Sequence, residues 1–451
     1  MITRTMSPLM FGAWLLADLL LTSAFVTPAR TATWRIVHDP ANPIDQVGSA
    51  AMQAADGDSI LVGPGTFYEH IPIVGKSLTF VSSDGADQTI LDGSQAIPGR
   101  EGSIFYDPSV TTALLVIEGF TLRGGYGQLS PEGCNGGAVS WYNRGELPGK
   151  SLLIRACTLE ANHLQPLEAG SGNAIFCHYM ETVRLESCTF RDNGGSESAD
   201  VYVDGGEVVA SNCTFHMSEQ WRVGTLRCPG SGDVKILDCL FEAEASGGGY
   251  YSLWLDNVER TLLSNNSFID RGGSPTATKV HMSENAIEPT RQTIIMTGNV
   301  FWCSAGQDSG GPSTVEVTAR RQQMDVQNNT FVRCGLAAGA GGGSPSLYAN
   351  NIFYRSTVRL SGSIGGQVRC NDAWPQTIYT DVPAIYTFTD NIQADPLFCG
   401  ESDGDFHVAV EGPCDQSGSP PGCGLIGALE ANCFTTPVER TSWGRVKTHF
   451  R

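Results

Sequence analysis

The chain has 451 residues, 53 of them Gly, and a formal net charge of -19. That acidity, with no basic patch in the body, excludes a nucleic-acid binder, which needs clustered Lys and Arg, and weighs against an unaided polyanion binder. The length would ordinarily mean two or three domains, unless the chain is a repeat whose units pack only on their neighbours.

Met1 to about Ala32 reads as a signal peptide. Arg4 supplies the positive start, and Phe11 to Leu21 an apolar stretch too short to span a bilayer. Thr22-Ser23-Ala24 offers one cleavage site, and Ala29 or Ala32 another. Asp18 interrupts the apolar stretch, which leaves an anchor or a misassigned start as the alternative. The expected location is secreted or cell-surface, with no membrane span once the signal is removed. Export permits disulfides among the 14 cysteines.

Asp45 to Ala54 follows as a short helix with Val47, Ala50, Ala51 and Ala54 on one face. It would cover the first strands, whose edge is otherwise unpaired. Asp56 to Phe67 then reads as turn, strand, turn.

From there the chain repeats itself. Ala156-Cys157-Thr158-Leu159, Ser187-Cys188-Thr189-Phe190, Asn212-Cys213-Thr214-Phe215 and Asp238-Cys239-Leu240-Phe241 share one pattern. It continues as Asn265-Asn266-Ser267-Phe268, Gly298-Asn299-Val300-Phe301, Asn328-Asn329-Thr330-Phe331 and Asn350-Asn351-Ile352-Phe353. A small polar slot stands two residues before a large apolar one, and the large residues recur every 22 to 33 positions. This is one turn of a stacked parallel coil, with loops of varying length. Equivalent residues would lie about 4.8 Å apart, so like stacks on like. Asn266, Asn299, Asn329 and Asn351 form an amide ladder, and the phenylalanines stack inside. Cys157, Cys188, Cys213 and Cys239 share the slot as a reduced thiol row, axial disulfides being the alternative.

A second strand precedes each slot: Ile175-Phe176-Cys177-His178, Val201-Tyr202-Val203-Asp204, Leu226-Arg227-Cys228-Pro229, Leu253-Trp254-Leu255-Asp256, Val280-His281-Met282-Ser283 and Val315-Glu316-Val317-Thr318. Alternation places the first and third residues inward, the second and fourth outward.

Toward the C-terminus Cys370, Cys399, Cys414, Cys423 and Cys433 lie outside the slot, and disulfides are expected among them to pin an irregular cap. Residues 434–451 form a basic tail with Arg440, Arg445, Lys447 and Arg451 beside Trp443, Val446 and Phe450. A frayed end and a sorting or docking tag are both open readings.

These residues resemble the pectin-lyase-like β-helix superfamily, in particular bacterial right-handed β-helix repeat proteins. Gln53-Ala54-Ala55-Asp56-Gly57-Asp58 through Gly65-Thr66-Phe67-Tyr68-Glu69 is similar to that family's N-terminal cap. Ala394-Asp395-Pro396-Leu397-Phe398, Asp405-Phe406-His407, Gly412-Pro413-Cys414 and Gly427-Ala428 are similar to its C-terminal end. The expected fold is therefore all-β: a right-handed parallel β-helix of roughly ten rungs over residues 33–433, with a helical N-terminal cap and a cysteine-rich C-terminal cap. A monomer is expected. Fold does not settle activity. Gly65 to Glu69 also resembles a short stretch of pectin methylesterases, but that family's catalytic aspartate motifs have no counterpart. Neither do the Asn-Thr-Asp, Gly-His-Gly and Arg-Ile-Lys of polygalacturonases, nor the calcium aspartate cluster of pectate lyases.

The outward row of the second strand carries the functional expectation. Phe176, Tyr202, Trp254, His281 and Glu316 are candidate ligand-binding residues, because flat rings offer apolar area to a pyranose face. His178, Asp204, Arg227 and Asp256 are candidate catalytic groups, for acid–base work between rungs. Acids on neighbouring rungs would suit Ca²⁺ through oxygen ligands; no other cofactor and no Cys/His metal site is implied. The alternative is that Tyr and Trp simply favour strands. The expected function is binding of a polysaccharide or cell-surface partner; a lyase or glycoside hydrolase with a non-standard site, and a structural rod or adhesin, are the alternatives. His163 and His407 read as isolated, and the sequons at Asn212, Asn265 and Asn328 as by-products of the repeat turn rather than glycosylation sites.

Overall fold

The computed structural model describes residues 31–434, apart from 96–101, 108–112, 131–132, 143–148, 165–170, 195–198, 218–224, 245–250, 272–277, 284–291, 304–314, 318–321, 341–344 and 363–364. Of the expected signal peptide, Met1 to about Ala32, residues 1–30 lie outside the described residues, and so do residues 435–451 of the expected basic tail.

Three parallel sheets wind the chain into a β-helix. Sheet I has 14 strands, from Thr33–Ile36 to Tyr386–Thr389. Sheet II has 12, from Ile71–Pro72 to Ile378–Thr380, and sheet III has 12, from Gly65–Tyr68 to Asp372–Trp374. One rung runs through sheet II, then I, then III, as in Ile175–His178, Thr182–Glu186 and Thr189–Arg191. This makes about twelve rungs rather than ten. The extra ones escape the repeat pattern because other residues fill the slot: in the rung before Cys157 it is Phe120.

The corner between sheets I and III explains the repeat. One residue there adopts a left-handed conformation, and the slot residue follows it. Ala156, Ser187, Asn212, Asp238, Asn265, Asn328 and Asn350 have φ between 50° and 58°. Asn and Asp tolerate that region better than most residues. The asparagines of the three sequons, Asn212, Asn265 and Asn328, are among these corner residues.

The slot residues bear out the stacking expectation. Asn329 Nδ2 donates to the Met296 and Gln327 carbonyls at 2.9 Å and to Asn351 Oδ1 at 3.0 Å. Its own Oδ1 accepts from the Asn299 backbone N–H and Nδ2. The ladder runs from Asn266 through Asn351 and on to Asn371 and Asn391, two rungs further than the repeat suggested. A second, shorter ladder joins Asn162 to Asn193. Cys157, Cys188, Cys213 and Cys239 are buried and reduced. Burial pushes the Cys157 thiol up to about 12, so it stays protonated. Beneath the slot, Phe190, Phe215, Phe241, Phe268, Phe301, Phe331 and Phe353 stack with centroids 4.7 to 5.0 Å apart.

Helix α1, Gln46–Gln53, buries Val47, Gly48, Ala50 and Ala51 against the first strands. Its ends are capped from far along the chain. The Glu69 carboxylate accepts from Val47 N at 2.8 Å and Gly48 N at 3.0 Å. Lys76 Nζ donates to the Met52 and Ala54 carbonyls at the other end.

The C-terminal cap differs from the expectation in two ways. Cys370–Cys423 and Cys399–Cys433 are disulfides, but Cys414 is a buried free thiol that donates to Asp372 Oδ2 at 3.2 Å. A third disulfide, Cys303–Cys334, joins neighbouring rungs. The segment also covers a flank rather than the end of the coil. The three-stranded sheet of Phe398–Gly400, Asp405–Val410 and Ala431–Phe434 lies on the outer face of sheet III. Phe406 and Val408 pack there with Val300, Val332, Ile352 and Tyr354. Sheet III is apolar outside at those rungs because Trp302, Val332, Tyr354 and Trp374 replace the alternating charges of Asp92, Arg123, Glu160 and Arg191 in the same file.

Candidate functional site

Sheet II positions the site. Its inward residues, Ile175 and Cys177, Val201 and Val203, Leu253 and Leu255, are buried in the core. Pleating sends the residues between them to the outer face. The parallel register then lines up Phe176, Tyr202, Arg227, Trp254, His281 and Glu316 in one file across consecutive rungs. A second file beside it contains His178 opposite Asp204, Pro229 opposite Asp256, and Asp256 opposite Ser283. All nine residues singled out in the sequence fall on this one face. The stretches 195–198, 218–224, 245–250 and 272–277, which precede its strands, lie outside the described residues.

The side chains contact one another along the axis. Phe176 stacks on Tyr202 with centroids 5.4 Å apart. The Arg227 guanidinium carbon sits 5.7 Å from the Tyr202 centroid and 4.5 Å from that of Trp254. His281 meets Trp254 edge-on at 5.6 Å, and Tyr251 touches both rings. The expected flat platform is therefore modified. Stacking across rungs occupies both faces of Tyr202 and leaves its edge.

The charges pair as well. His178 Nε2 is 2.8 Å from Asp204 Oδ2, and Arg227 Nη2 is 3.8 Å from Asp256 Oδ2. Asp256 also accepts from the Ser283 hydroxyl. His281 Nδ1 stands 3.6 Å from Glu316 Oε2. Burial, followed by the charge of Asp204, pushes the Tyr202 phenol above its ordinary range. Arg227 Nε and Trp254 Nε1 are buried and have no hydrogen-bond partner among the described residues. Such groups are rare in folded proteins and call for an explanation. Among the described residues no three His, Cys, Asp or Glu side chains converge, so the described carboxylates form no ready-made Ca²⁺ cage.

Three residues that were not among the candidates join this face. Tyr179 follows His178 and is 52 % exposed, and its ring stacks on His178 with centroids 4.0 Å apart. Its φ of 54° turns the ring back over the sheet, and alternation does not signal that turn. Tyr251 and Ser283 are recognisable only through their cross-rung partners. His163 and His407 stand apart from this face; His407 pairs with its neighbour Asp405.

No helix among the described residues is long and apolar enough to cross a membrane. The three disulfides fit an oxidising compartment.

A search of the curated proteins found no match. Among solved structures, the chain is similar to a PL6 family alginate lyase with a TM-score of 0.34 and 10% identity, covering 81% of this chain and 40% of that one. It is similar to the catalytic unit of a GH87 α-1,3-glucanase from Streptomyces thermodiastaticus strain HF3-3, with a TM-score of 0.37, 13% identity, and coverage of 83% and 71%. A third, pectate lyase Pel9A, gives a TM-score of 0.34 and 15% identity, with coverage of 89% and 97%. The chain thus spans well under half the length of the first of these. Residues 173–358 match the family model described as "Right handed beta helix region", and this stretch, which carries the outward file from Phe176 to Glu316, is a right-handed β-helix region.

Proposed function

We propose that the outer face of sheet II binds a polysaccharide laid along the coil axis. The observation that carries this reading is the axial file of Tyr202, Arg227 and Trp254 beside the exposed Tyr179 ring, with the Arg227 side chain 34 % exposed. A hydroxyl-rich or carboxylate-bearing chain supplies acceptors for the accessible part of the Arg227 guanidinium. Rungs spaced about 4.8 Å apart present such a chain with a regularly repeated set of contacts. Tyr179 supplies the exposed ring that Tyr202 cannot, and the His178–Asp204 pair beside it supplies polar contacts. Affinity electrophoresis in gels containing pectin, alginate or a glycosaminoglycan tests this. Retardation that is lost on Arg227→Ala supports it, and unretarded migration in every gel sinks it.

A second reading, catalysis on the same face, rests on the spacing of two carboxylates. Asp204 and Asp256 are two rungs apart, which is about 9.6 Å along the axis. Inverting glycosidases separate their carboxyl groups by about 6.5–9.5 Å. Both acids here already have partners, His178 and Arg227. Incubation with the same polysaccharides, followed by reducing ends and ultraviolet absorbance, decides it: no product, or product unaffected by Asp204→Asn, removes this reading.

A further inference from the structure

The outward file of sheet II does not end at Glu316. The parallel register carries it on through Ala337 and Arg359 to Tyr379 in the last strand. Between the two stretches the floor is low. Ala337 and Gly339 are the outward residues of their strand, on either side of the buried Ala338, and neither carries a side chain beyond Cβ. One rung further the file rises again at Arg359, and then at Tyr379.

Tyr379 differs from the other rings of the file. Contacts across rungs take up Phe176, Tyr202 and Trp254. Tyr379 has no ring contact among the described residues and is 57 % exposed. Its place in the last strand accounts for the exposure but not for what stands beside it. Arg359, opposite Tyr379 one rung back, turns its guanidinium to Asp381, with Nε and Nη2 at 3.3 and 3.2 Å from Oδ2. Nη1 is left open among the described residues, and the Arg359 side chain is 61 % exposed. An ion pair so exposed adds little to stability. It does offer donors and acceptors side by side, which suits neighbouring sugar hydroxyls, since each of these both donates and accepts.

We propose that Tyr379, Arg359 and Asp381 form a second subsite for the same polysaccharide, with one pyranose on the Tyr379 ring and its hydroxyls on the Arg359–Asp381 pair. This rests on the reading of sheet II as a polysaccharide-binding face. The strand that leads into Tyr179 and the strand of Tyr379 are eight rung spacings apart, about 38 Å. A pyranose unit advances a chain by about one rung, about 4.8 Å, so a ligand needs about eight units to touch both exposed rings. Shorter oligomers engage one end only. A longer chain held at one end makes its second contact within the complex, which raises the affinity without any new kind of contact.

A length series on the whole chain tests this. Affinity electrophoresis first finds which of pectin, alginate or a glycosaminoglycan retards the native protein. Calorimetry then compares oligomers of that polymer with about four and about twelve units. The native chain is expected to bind the long oligomer at least tenfold more tightly than the short one. Tyr379→Ala and Arg359→Ala each lower that ratio to about threefold or less, with thermal midpoints unchanged because both side chains are exposed. A native-like ratio in either variant, or a ratio near one in the native chain, overturns the second subsite and leaves the binding face itself standing. No retardation of the native chain in any gel overturns both.

Discussion

The Arg227 guanidinium lies 4.5 Å from the ring centroid of Trp254, one rung away, and 5.7 Å from that of Tyr202 on the other side. One cation thus joins two rings across three rungs. It is held by stacking and by Asp256, with Nε left without a hydrogen-bond partner among the described residues. Replacing Arg227 by Met keeps the stem and removes the charge. The expected cost is about 1 kcal/mol, the range for a partly desolvated cation–π contact. Arg227→Lys should restore little of it, because an ammonium lacks the planar group that stacks. Denaturant midpoints of the two variants check this.

The slot gives a sharper stability test. Asn329→Ala leaves the Asn299 amide without its acceptor and the Met296 carbonyl without its donor, in a buried place. With each orphaned group costing about 1–3 kcal/mol, a loss of roughly 3–5 kcal/mol is expected. Cys213→Ala, which removes one small thiol, should cost about 1 kcal/mol. Thermal unfolding of the two variants compares them. Equal losses would mean that the ladder is not what holds those rungs together.

The thirteen cysteines whose side chains are described divide cleanly. Alkylation of the native protein should leave Cys157, Cys177, Cys188, Cys213, Cys228, Cys239 and Cys414 unmodified, because all are buried. Alkylation in denaturant without reductant should label all seven. Cys303, Cys334, Cys370, Cys399, Cys423 and Cys433 should label only after reduction. Peptide mapping reads the pattern directly.

Helix α1 should respond to pH through Glu69. Burial raises its carboxyl to about 7, against the opposing pull of the Val47 and Gly48 N–H groups. The folded state then holds a proton that the unfolded chain gives up above the ordinary glutamate range. Stability from this group is therefore present at low pH and falls as pH rises through about 7. Glu69→Gln should flatten that slope between pH 5 and 8, as read from thermal midpoints across the window.

How much of this was legible in the sequence follows from which residues face inward. The slot and the phenylalanine row repeat because neighbours on adjacent rungs must be alike, so the coil, its register and the file from Phe176 to Glu316 could be read directly. The first and last rungs carry no such signature, since Phe120 fills the slot in one and Cys370-Asn371 marks another without a phenylalanine after it. Contacts between rungs were not legible. Cys303 and Cys334 are 31 residues apart, and nothing local marks them as partners. The placement of the C-terminal sheet was hidden as well: Trp302 and Tyr354 look like outward strand residues until Phe406 and Phe398 are seen to cover them. Tyr179 was missed because its role depends on one left-handed turn.

The most direct test of the account is polysaccharide binding measured on the native chain, on Tyr179→Asn and on Arg227→Ala. Asn tolerates the left-handed turn, so the first variant removes the exposed ring and little else. Retardation of the native protein in at least one polysaccharide gel is expected, with the apparent affinity reduced tenfold or more in each variant. Native-like retardation of both variants, or no retardation of the native chain in any gel, would contradict it.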